Sequence, residues 1–220
     1  MTTLYLINSN NPGYSIPIEL YSPESKPLGK SYEDHIKDWW RWLISIPANM
    51  SPIDDLTGER CFVGQSNSST LLYIVGSGGG HVERKCTVPE GISIMLAPSA
   101  AEMSDKEGKD VTIEDMHRLS KADQDSATFQ VTLDGKTYSM EDLAQYRKHT
   151  DPFNVVFPDK GIFGVGIGGN STIVADGYYL ITKNLTKGVH EIKHESDIDC
   201  PMGDCDANFS ETITYTLNVE

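Results

Sequence analysis

LLYIVGSGGGHVERKCTVPEGISIMLA, residues 71–97, contains three strand patterns separated by two turn signals. The apolar run Leu71–Val75 is followed by a glycine-rich turn, and His81–Val88 then alternates between apolar and polar residues. Residues 89–91 (Pro-Glu-Gly) form the second turn signal, and Ile92–Ala97 is a short apolar run typical of a buried strand. The glycine run lacks the Lys-Ser/Thr pair and the following helix of a phosphate-binding loop.

Similar short strand patterns continue toward the C-terminus. Asp134-Gly135 separates two alternating runs and predicts a two-residue hairpin turn. The final run, Phe209–Glu220, alternates with apolar side chains on one face, where Glu211 is the one polar break. The other strand candidates are Asn154–Phe157, Gly161–Gly166, Ser171–Ala175, Tyr178–Lys183 and Val189–Lys193, with Asp176-Gly177 predicted as a turn.

The clearest helix pattern lies upstream, in Ser31–Ile46. Ser31 is a suitable N-cap, Pro47 ends the helix, and apolar residues recur at helical spacing. This segment also holds all three tryptophans of the chain, Trp39, Trp40 and Trp42. A helix with so many aromatic side chains either packs on a sheet or offers an aromatic face to a ligand.

Two segments differ from the strand pattern. Residues 1–30 are rich in Pro, Asn and Ser and predict an extended N-terminal arm with edge strands at Thr3–Ile7 and Ser15–Tyr21. Residues 100–126 are charged and predict a mostly helical insertion, in which Thr112 caps a helix. We expect residues 31–220 to form one mainly β domain, an antiparallel β-sandwich or jelly-roll-like fold with an N-terminal Trp-rich helix.

The charge balance excludes some partners. With 32 acidic and 18 basic side chains, the chain has a net charge of −14. Such a surface repels phosphates, so we expect no nucleic-acid partner. No run of residues approaches the roughly 20 apolar positions needed to cross a bilayer, and we therefore expect no transmembrane segment.

Five Asn-x-Ser/Thr triplets without a central Pro predict N-glycosylation and hence an extracellular or cell-surface location. Met1–Asn10 lacks the basic start and apolar run of a secretory signal peptide, so we expect a mature form whose leader has been removed. The alternative is a cytoplasmic protein whose triplets stay unused. The acceptor positions are Asn49, Asn67, Asn170, Asn184 and Asn208.

The cysteine spacing favours two disulfides, Cys61–Cys86 and Cys200–Cys205. Four cysteines permit three pairings, and the spacing alone does not select one. Zinc is the alternative, but only Cys200 and Cys205 have the spacing of a zinc knuckle, and no second knuckle is present.

Two groups of side chains suggest metal binding. The first is an acidic segment whose closely spaced oxygens suit Ca²⁺, although the spacing is not that of an EF-hand and a solvated acidic loop is the alternative. The second is His190 and His194, which share a strand face with Ile192 and suit Zn²⁺ or Cu²⁺ if a third ligand is present. The acidic segment contributes Asp197, Asp199, Asp204 and Asp206.

Candidates for catalysis and ligand stacking are fewer. His81, Glu83 and Glu102 are the acid–base and metal-ligating candidates if the protein is an enzyme, but neither a Gly-x-Ser-x-Gly elbow nor a His-Glu-x-x-His motif occurs. If all four cysteines are paired, a thiol nucleophile is excluded. The candidates for stacking on sugar rings are Trp42, Tyr178 and Tyr179.

A further set of blocks runs through most of the chain: residues 39–47 (WWRWLISIP), 55–61 (DLTGERC), 82–91 (VERKCTVPEG), 131–135, 146–147, 176–179 (DGYY) and 188–192 (GVHEI). In these blocks the chain resembles a family of uncharacterised, mostly exported microbial proteins. The resemblance covers residues 31–195, supports Cys61–Cys86 as a pair, and implies no activity.

The sequence thus predicts an exported, non-enzymatic β-sandwich that binds or self-assembles at the cell surface. The N-terminal arm and the terminal strand Phe209–Val219 are the segments expected to pair with a second copy. The alternative is a carbohydrate-binding or metal-dependent hydrolytic sandwich whose partners are surface glycans.

Overall fold

The computed structural model describes residues 16–106, 108, 110–162, 168–199 and 208–220. Within these ranges the α-helices are α1 (Tyr32–Ser45) and α2 (Ile113–Asp125), and short 3-10 turns lie at Pro27–Gly29, Ala48–Met50 and Ala144–Tyr146. The strands are β1 (Leu71–Tyr73), β2 (Gly80–Val88), β3 (Ser93–Ser104), β4 (Ala127–Leu133), β5 (Lys136–Ser139), β6 (Arg147–His149), β7 (Phe153–Phe157), β8 (Gly169–Ile181), β9 (Gly188–Asp199) and β10 (Asn208–Val219).

The strands form two five-stranded sheets. Sheet A has the order β1-β3-β8-β6, with β7 also pairing with β8, and sheet B has the order β2-β10-β9-β4-β5. The predicted mainly β, sandwich-like fold is confirmed. Most neighbouring strands are antiparallel, but β1 pairs with β3 and β2 pairs with β10 in parallel.

Helix α1, sheet A and sheet B form three successive layers. Tyr178 and Tyr179 are neighbours in β8, so their side chains point to opposite faces of sheet A. The Tyr179 hydroxyl accepts a hydrogen bond of 2.8 Å from the indole N–H of Trp40 in α1. The Tyr178 ring contacts Phe129 of sheet B, with 4.7 Å between ring centroids. Sheet A therefore lies between the helix and the other sheet.

The aromatic helix belongs to the core. Ser31 caps it, since its hydroxyl accepts a hydrogen bond from the N–H of Asp34 at 3.1 Å. All three tryptophans are buried, and their indole N–H groups donate to Ile74 O, Tyr179 Oη and Val63 O. The helix therefore packs on a sheet, and none of its indole rings forms an exposed face for a ligand.

A buried arginine connects sheet B to the segments before it. Arg84 of β2 is 1% exposed and donates to the carbonyl oxygens of Asp55, Val75 and Ile53 at 2.6, 3.0 and 3.1 Å. It also donates to the Tyr215 hydroxyl. Burial acts to raise the pKa of the Asp55 carboxyl, but backbone N–H donors and the Arg84 charge hold this pKa below its usual value. The guanidinium thus fixes residues 53–55 and 75 onto the sandwich.

Glu211, the polar break in β10, is also buried and bonded. Its carboxylate contacts His194 Nε2 at 3.1 Å and accepts from the backbone N–H and hydroxyl of Ser77 at 2.5 and 3.0 Å. Burial acts to raise the Glu211 pKa, but His194 and Ser77 stabilise the carboxylate and lower the pKa overall. A Cβ at Gly76 would lie 2.5 Å from this carboxylate, so the first glycine of the turn permits its close approach.

Three element predictions are corrected by the structure. The predicted insertion at residues 100–126 is partly strand, because β3 continues to Ser104 and α2 begins only at Ile113. Asp176-Gly177 is not a turn but the middle of β8. The terminal strand Phe209–Val219 is not an edge strand, because β10 lies between β2 and β9. It is therefore not free to pair with a second copy.

The N-terminal predictions are tested only in part. Thr3–Ile7 lies outside the described residues. From Ile16 onward the chain contacts the domain, since Ile18 is buried in the main core and Leu20 forms a single β-bridge with Thr182. Most of the predicted strand Gly161–Gly166 also lies outside the described residues.

Candidate functional site

An open cleft of about 670 Å³ lies where α2 crosses β6 and β8. We call it the α2–β6 cleft. Helical spacing places His117 and Lys121 four residues apart on one side of α2, while strand spacing places Arg147 and His149 on one face of β6. The β8 side is supplied by Asp176, which pairs with His149 in the sheet. The lining side chains are His117, Lys121, Arg147, His149, Asp151 and Asp176.

Ion pairs fix the floor of the cleft. The Arg147 guanidinium contacts both carboxylate oxygens of Asp176, at 2.9 and 3.3 Å, and an oxygen of Asp125 at 2.8 Å. Burial acts to lower the Arg147 pKa, but its hydrogen bonds with Asp176 and Asp125 raise this pKa overall. Lys121 contacts the other oxygen of Asp125, and both cations hold the pKa of Asp125 below its usual value. These ion pairs thus hold the side chains at the floor of the cleft in place.

Two imidazoles differ from these paired groups. The rings of His117 and His149 meet edge to face, with 6.5 Å between their centroids. His149 is exposed and His117 is half-buried. Within the described residues, no hydrogen bond engages a ring nitrogen of either side chain. A neutral imidazole offers one donor and one acceptor, so this pair can hydrogen-bond a polar ligand without breaking the ion pairs.

The predicted catalytic set is not brought together. The exposed side chains of His81 and Glu83 make a contact of 3.4 Å on β2 of sheet B, whereas Glu102 lies on β3 of sheet A. Among the described residues, no group of three or more His, Cys, Asp or Glu side chains has an arrangement that could hold a metal ion. The proposed site built on these three residues is therefore not supported.

His190 and His194 do share the inward face of β9, as predicted. The His190 ring contacts Asp134 Oδ2 at 2.7 Å and the Thr186 carbonyl oxygen at 2.9 Å, whereas His194 contacts Glu211. Because protein acceptors occupy both nitrogens of His190 and one nitrogen of His194, the metal-binding interpretation of this pair is corrected. Both rings stabilise the fold instead.

The predicted sugar-stacking residues are also corrected. Trp42 is 8% exposed, Tyr178 is 6% exposed and Tyr179 is fully buried. Stacking on a sugar requires one open face of the ring, but these rings pack against other side chains. Trp42, for example, contacts Tyr73 with 5.4 Å between ring centroids.

The acidic segment is only partly described. Asp197 and Asp199 are exposed residues of β9, so they lie in a strand and not in the predicted loop. Asp204 and Asp206 fall outside the described residues, as do Cys200 and Cys205. The Ca²⁺ site and the second disulfide therefore stay predictions.

The other cysteine pair is confirmed, since Cys61 and Cys86 form a disulfide. The asparagines of all five predicted glycosylation triplets, Asn49, Asn67, Asn170, Asn184 and Asn208, are exposed. Their modification stays a prediction. In the described part of the chain, no helix has the length and apolar character needed to cross a membrane.

Comparisons with known proteins give only distant structural similarity. No protein-family model and no curated protein matches this sequence. PbICP-C, solved in complex with falcipain-2, is 9% identical with a TM-score of 0.25, covering 69% of this chain and 100% of that chain. The cysteine protease inhibitor EhICP2 from Entamoeba histolytica is 9% identical with a TM-score of 0.26, covering 68% and 96% respectively. Similarity at this level carries no functional argument.

The cleft residues were not among the sequence candidates, although their spacing contains a signal. His117, Lys121 and Asp125 recur every four residues, and Arg147, His149 and Asp151 recur every two. Each pattern is typical of an ordinary solvated face of a helix or a strand. Only the packing of α2 beside β6 shows that the two polar faces form one site.

Proposed function

We propose that this chain is an exported, non-enzymatic binding protein that recognises a hydroxyl-rich ligand, a surface glycan, in the α2–β6 cleft. The observation that carries the proposal is the combination of a charge-paired floor with two imidazoles that have no hydrogen-bond partner among the described residues. The cleft volume of about 670 Å³ lies in the usual range for small-ligand sites.

The chemistry of the cleft suits hydroxyl groups. Imidazole and carboxylate groups can accept hydrogen bonds from hydroxyls, and imidazole and ammonium groups can donate to them. Of the charged lining residues, Lys121 and Arg147 are matched by Asp125 and Asp176, which leaves Asp151 as the additional charge. A neutral polar ligand therefore fits this balance better than a highly charged one.

Export is supported by two independent features. Disulfides persist mainly in oxidising compartments, and Cys61–Cys86 joins β2 to the segment before β1. The five acceptor asparagines are all exposed, as glycosylation requires. Neither feature depends on the ligand in the cleft.

A binding role without catalysis is supported by how the ionisable groups are used. His190, His194, Arg84 and Glu211 are buried and engaged by structural partners. A general base must reach the proton that it abstracts, and these side chains face the interior. The imidazoles of His117 and His149 lie beside ion pairs in the cleft, an arrangement suited to orienting a ligand.

A glycan array followed by calorimetric titration of the bound oligosaccharide tests this function. We expect the double variant His117→Ala/His149→Ala to weaken binding at least about tenfold, because each lost hydrogen bond contributes about 1 kcal/mol. Lys187→Ala, an exposed change outside the cleft, should leave affinity unchanged.

Three results would contradict this function: no binding across the array, equal binding by the double variant, or cleavage of a bound glycan detected by mass spectrometry.

A further inference from the structure

The edge strands of the two sheets differ in how far other residues cover their outward-facing backbone groups. The outer side of β1 is covered by Gln65, whose side-chain amide donates to Tyr73 O at 2.9 Å and accepts from Tyr73 N–H at 2.7 Å. The second half of β2 is covered by the preceding segment, since Lys85 N–H donates to Thr57 O at 2.9 Å and Cys86 is linked to Cys61. Such covering prevents unwanted strand pairing.

The first half of β2, Gly80–Glu83, has no comparable cover in the described part of the chain. β2 is one of the two edge strands of sheet B, the other being β5, and its one neighbour there is β10. His81 and Glu83 are exposed, with side-chain exposures of 61% and 71%. Backbone groups of alternate residues point to the same side of a strand. The backbone N–H of Lys85 points away from β10. Since Glu83 and His81 lie two and four positions before Lys85 in the strand, their backbone N–H groups point away from β10 as well.

This edge is complementary to itself. An antiparallel pairing of two copies about a two-fold axis at Val82 places His81 of each copy opposite Glu83 of the other. Both residues direct their backbone N–H and C=O groups outward, so each opposed pair can exchange two backbone hydrogen bonds. The same pairing brings an imidazole beside a carboxylate twice, and an imidazole N–H can donate a hydrogen bond to a carboxylate across the two strands.

We propose that two copies of this chain associate through the Gly80–Glu83 edge of β2 and join their five-stranded sheets B into one continuous sheet. The interface is isologous, as in most homodimers. It goes beyond the proposed ligand-binding function and lies on sheet B, away from the α2–β6 cleft. The ladder is short, so we expect a weak dimer with a dissociation constant of about 100 μM.

Charge exchange at the two opposed positions tests the proposal. Sedimentation equilibrium of the full chain from about 10 μM to 1 mM brackets the expected constant. Glu83→Lys sets a cation opposite His81, and His81→Glu sets two carboxylates opposite each other. Each single change should weaken association at least about tenfold, because Glu83→Lys removes the carboxylate that faces the His81 imidazole and His81→Glu sets like charges on opposing strands. The double exchange His81→Glu/Glu83→His recreates the pair in reverse and should restore association.

Glu90→Lys is the matched control. Glu90 is exposed and follows β2, so this substitution makes the same charge change outside the proposed ladder. It should leave the association constant unchanged. If the protein stays strictly monomeric at 1 mM, two copies do not pair through this edge and the proposal is overturned. A dimer that ignores both single changes, or that the double exchange fails to restore, would also overturn it. None of these results depends on ligand binding in the cleft.

Discussion

Arg84 connects three parts of the chain through one guanidinium. Removing its donors leaves the carbonyl oxygens of Asp55 and Ile53 without the hydrogen bonds from Arg84, while Val75 O keeps only the one from the Tyr215 hydroxyl. We expect Arg84→Met, which keeps much of the side-chain volume, to lower the free energy of unfolding by about 3–5 kcal/mol. Lys85→Met changes the exposed neighbour in the same strand and should cost under about 0.5 kcal/mol. Urea unfolding followed by circular dichroism measures both, and equal losses would contradict the anchoring role.

Glu211 predicts a defined pH dependence. Its pKa in the folded protein is below the ordinary value of 4.5, so the ionised carboxylate contributes stability above that value. This contribution is lost as the pH falls through the lowered pKa. We expect Glu211→Gln to cost about 2–3 kcal/mol at pH 7, and the difference from the unaltered protein should shrink below about pH 4.5.

Urea unfolding at pH 7, 5, 4 and 3 tests the Glu211 prediction. The control is Glu90→Gln, an exposed carboxylate whose removal should cost little at any pH. A difference for Glu211→Gln that stays constant across the series would argue against a lowered pKa.

At the scale of elements, the sequence correctly predicted the features that depend on interactions between residues close together in the chain. The cap at Ser31, the tryptophan stripe of α1 and the Asp134-Gly135 turn all depend on neighbouring residues, and the structure confirms them. The prediction of a turn at Asp176-Gly177 was wrong because glycine also occurs where two strands lie very close together. A Cβ at Gly177 would lie 2.6 Å from Ala100, so this glycine permits close contact between β8 and β3. Sequence spacing does not distinguish that contact from a turn.

Long-range pairing explains the other errors. Residues 100–104, apart from Met103, are small, polar or charged, but they form strand because β8 supplies hydrogen-bond partners from Ile173 to Gly177. The parallel pairing of β2 with β10 joins positions about 130 residues apart and places the terminal strand inside sheet B, between β2 and β9. The α2–β6 cleft depends on the same kind of long-range contact. Its two polar faces are separate in the sequence and become a site only through packing.

The Cys61–Cys86 disulfide is the covalent link between β2 and the segment that covers its second half. It closes a loop of 25 residues. In the chain-entropy model, a loop of this length gives about 3 kcal/mol of stabilisation. We expect Cys61→Ser/Cys86→Ser to lower Tm by about 6–12 °C, measured by scanning calorimetry without reductant. Reductant should lower the Tm of the unaltered protein by breaking this bond. The double variant lacks the bond, so its Tm should not show this decrease. Equal Tm values without reductant would contradict the prediction.

For the whole molecule, the net charge of −14 opposes compaction. The sandwich nevertheless buries ionised groups, because Arg84 and Glu211 each have close partners in the interior. The remaining acidic excess is carried by the surface, where salt screens it. Bulk charge and specific ion binding are therefore separable by experiment.

Salt and calcium should affect stability in different ways. Raising NaCl from about 20 to 500 mM shortens the Debye length from about 20 to 4 Å, so the reduced repulsion should raise Tm by a few degrees. If the acidic segment binds Ca²⁺, about 5 mM CaCl₂ should raise Tm by a further 5–10 °C or so over NaCl of equal ionic strength, as expected at about 100 times the dissociation constant. Asp197→Asn/Asp199→Asn should abolish that difference and preserve the NaCl response. Identical shifts in the two salts at equal ionic strength would show that the predicted calcium site is wrong and that the acidic segment acts only through its charge.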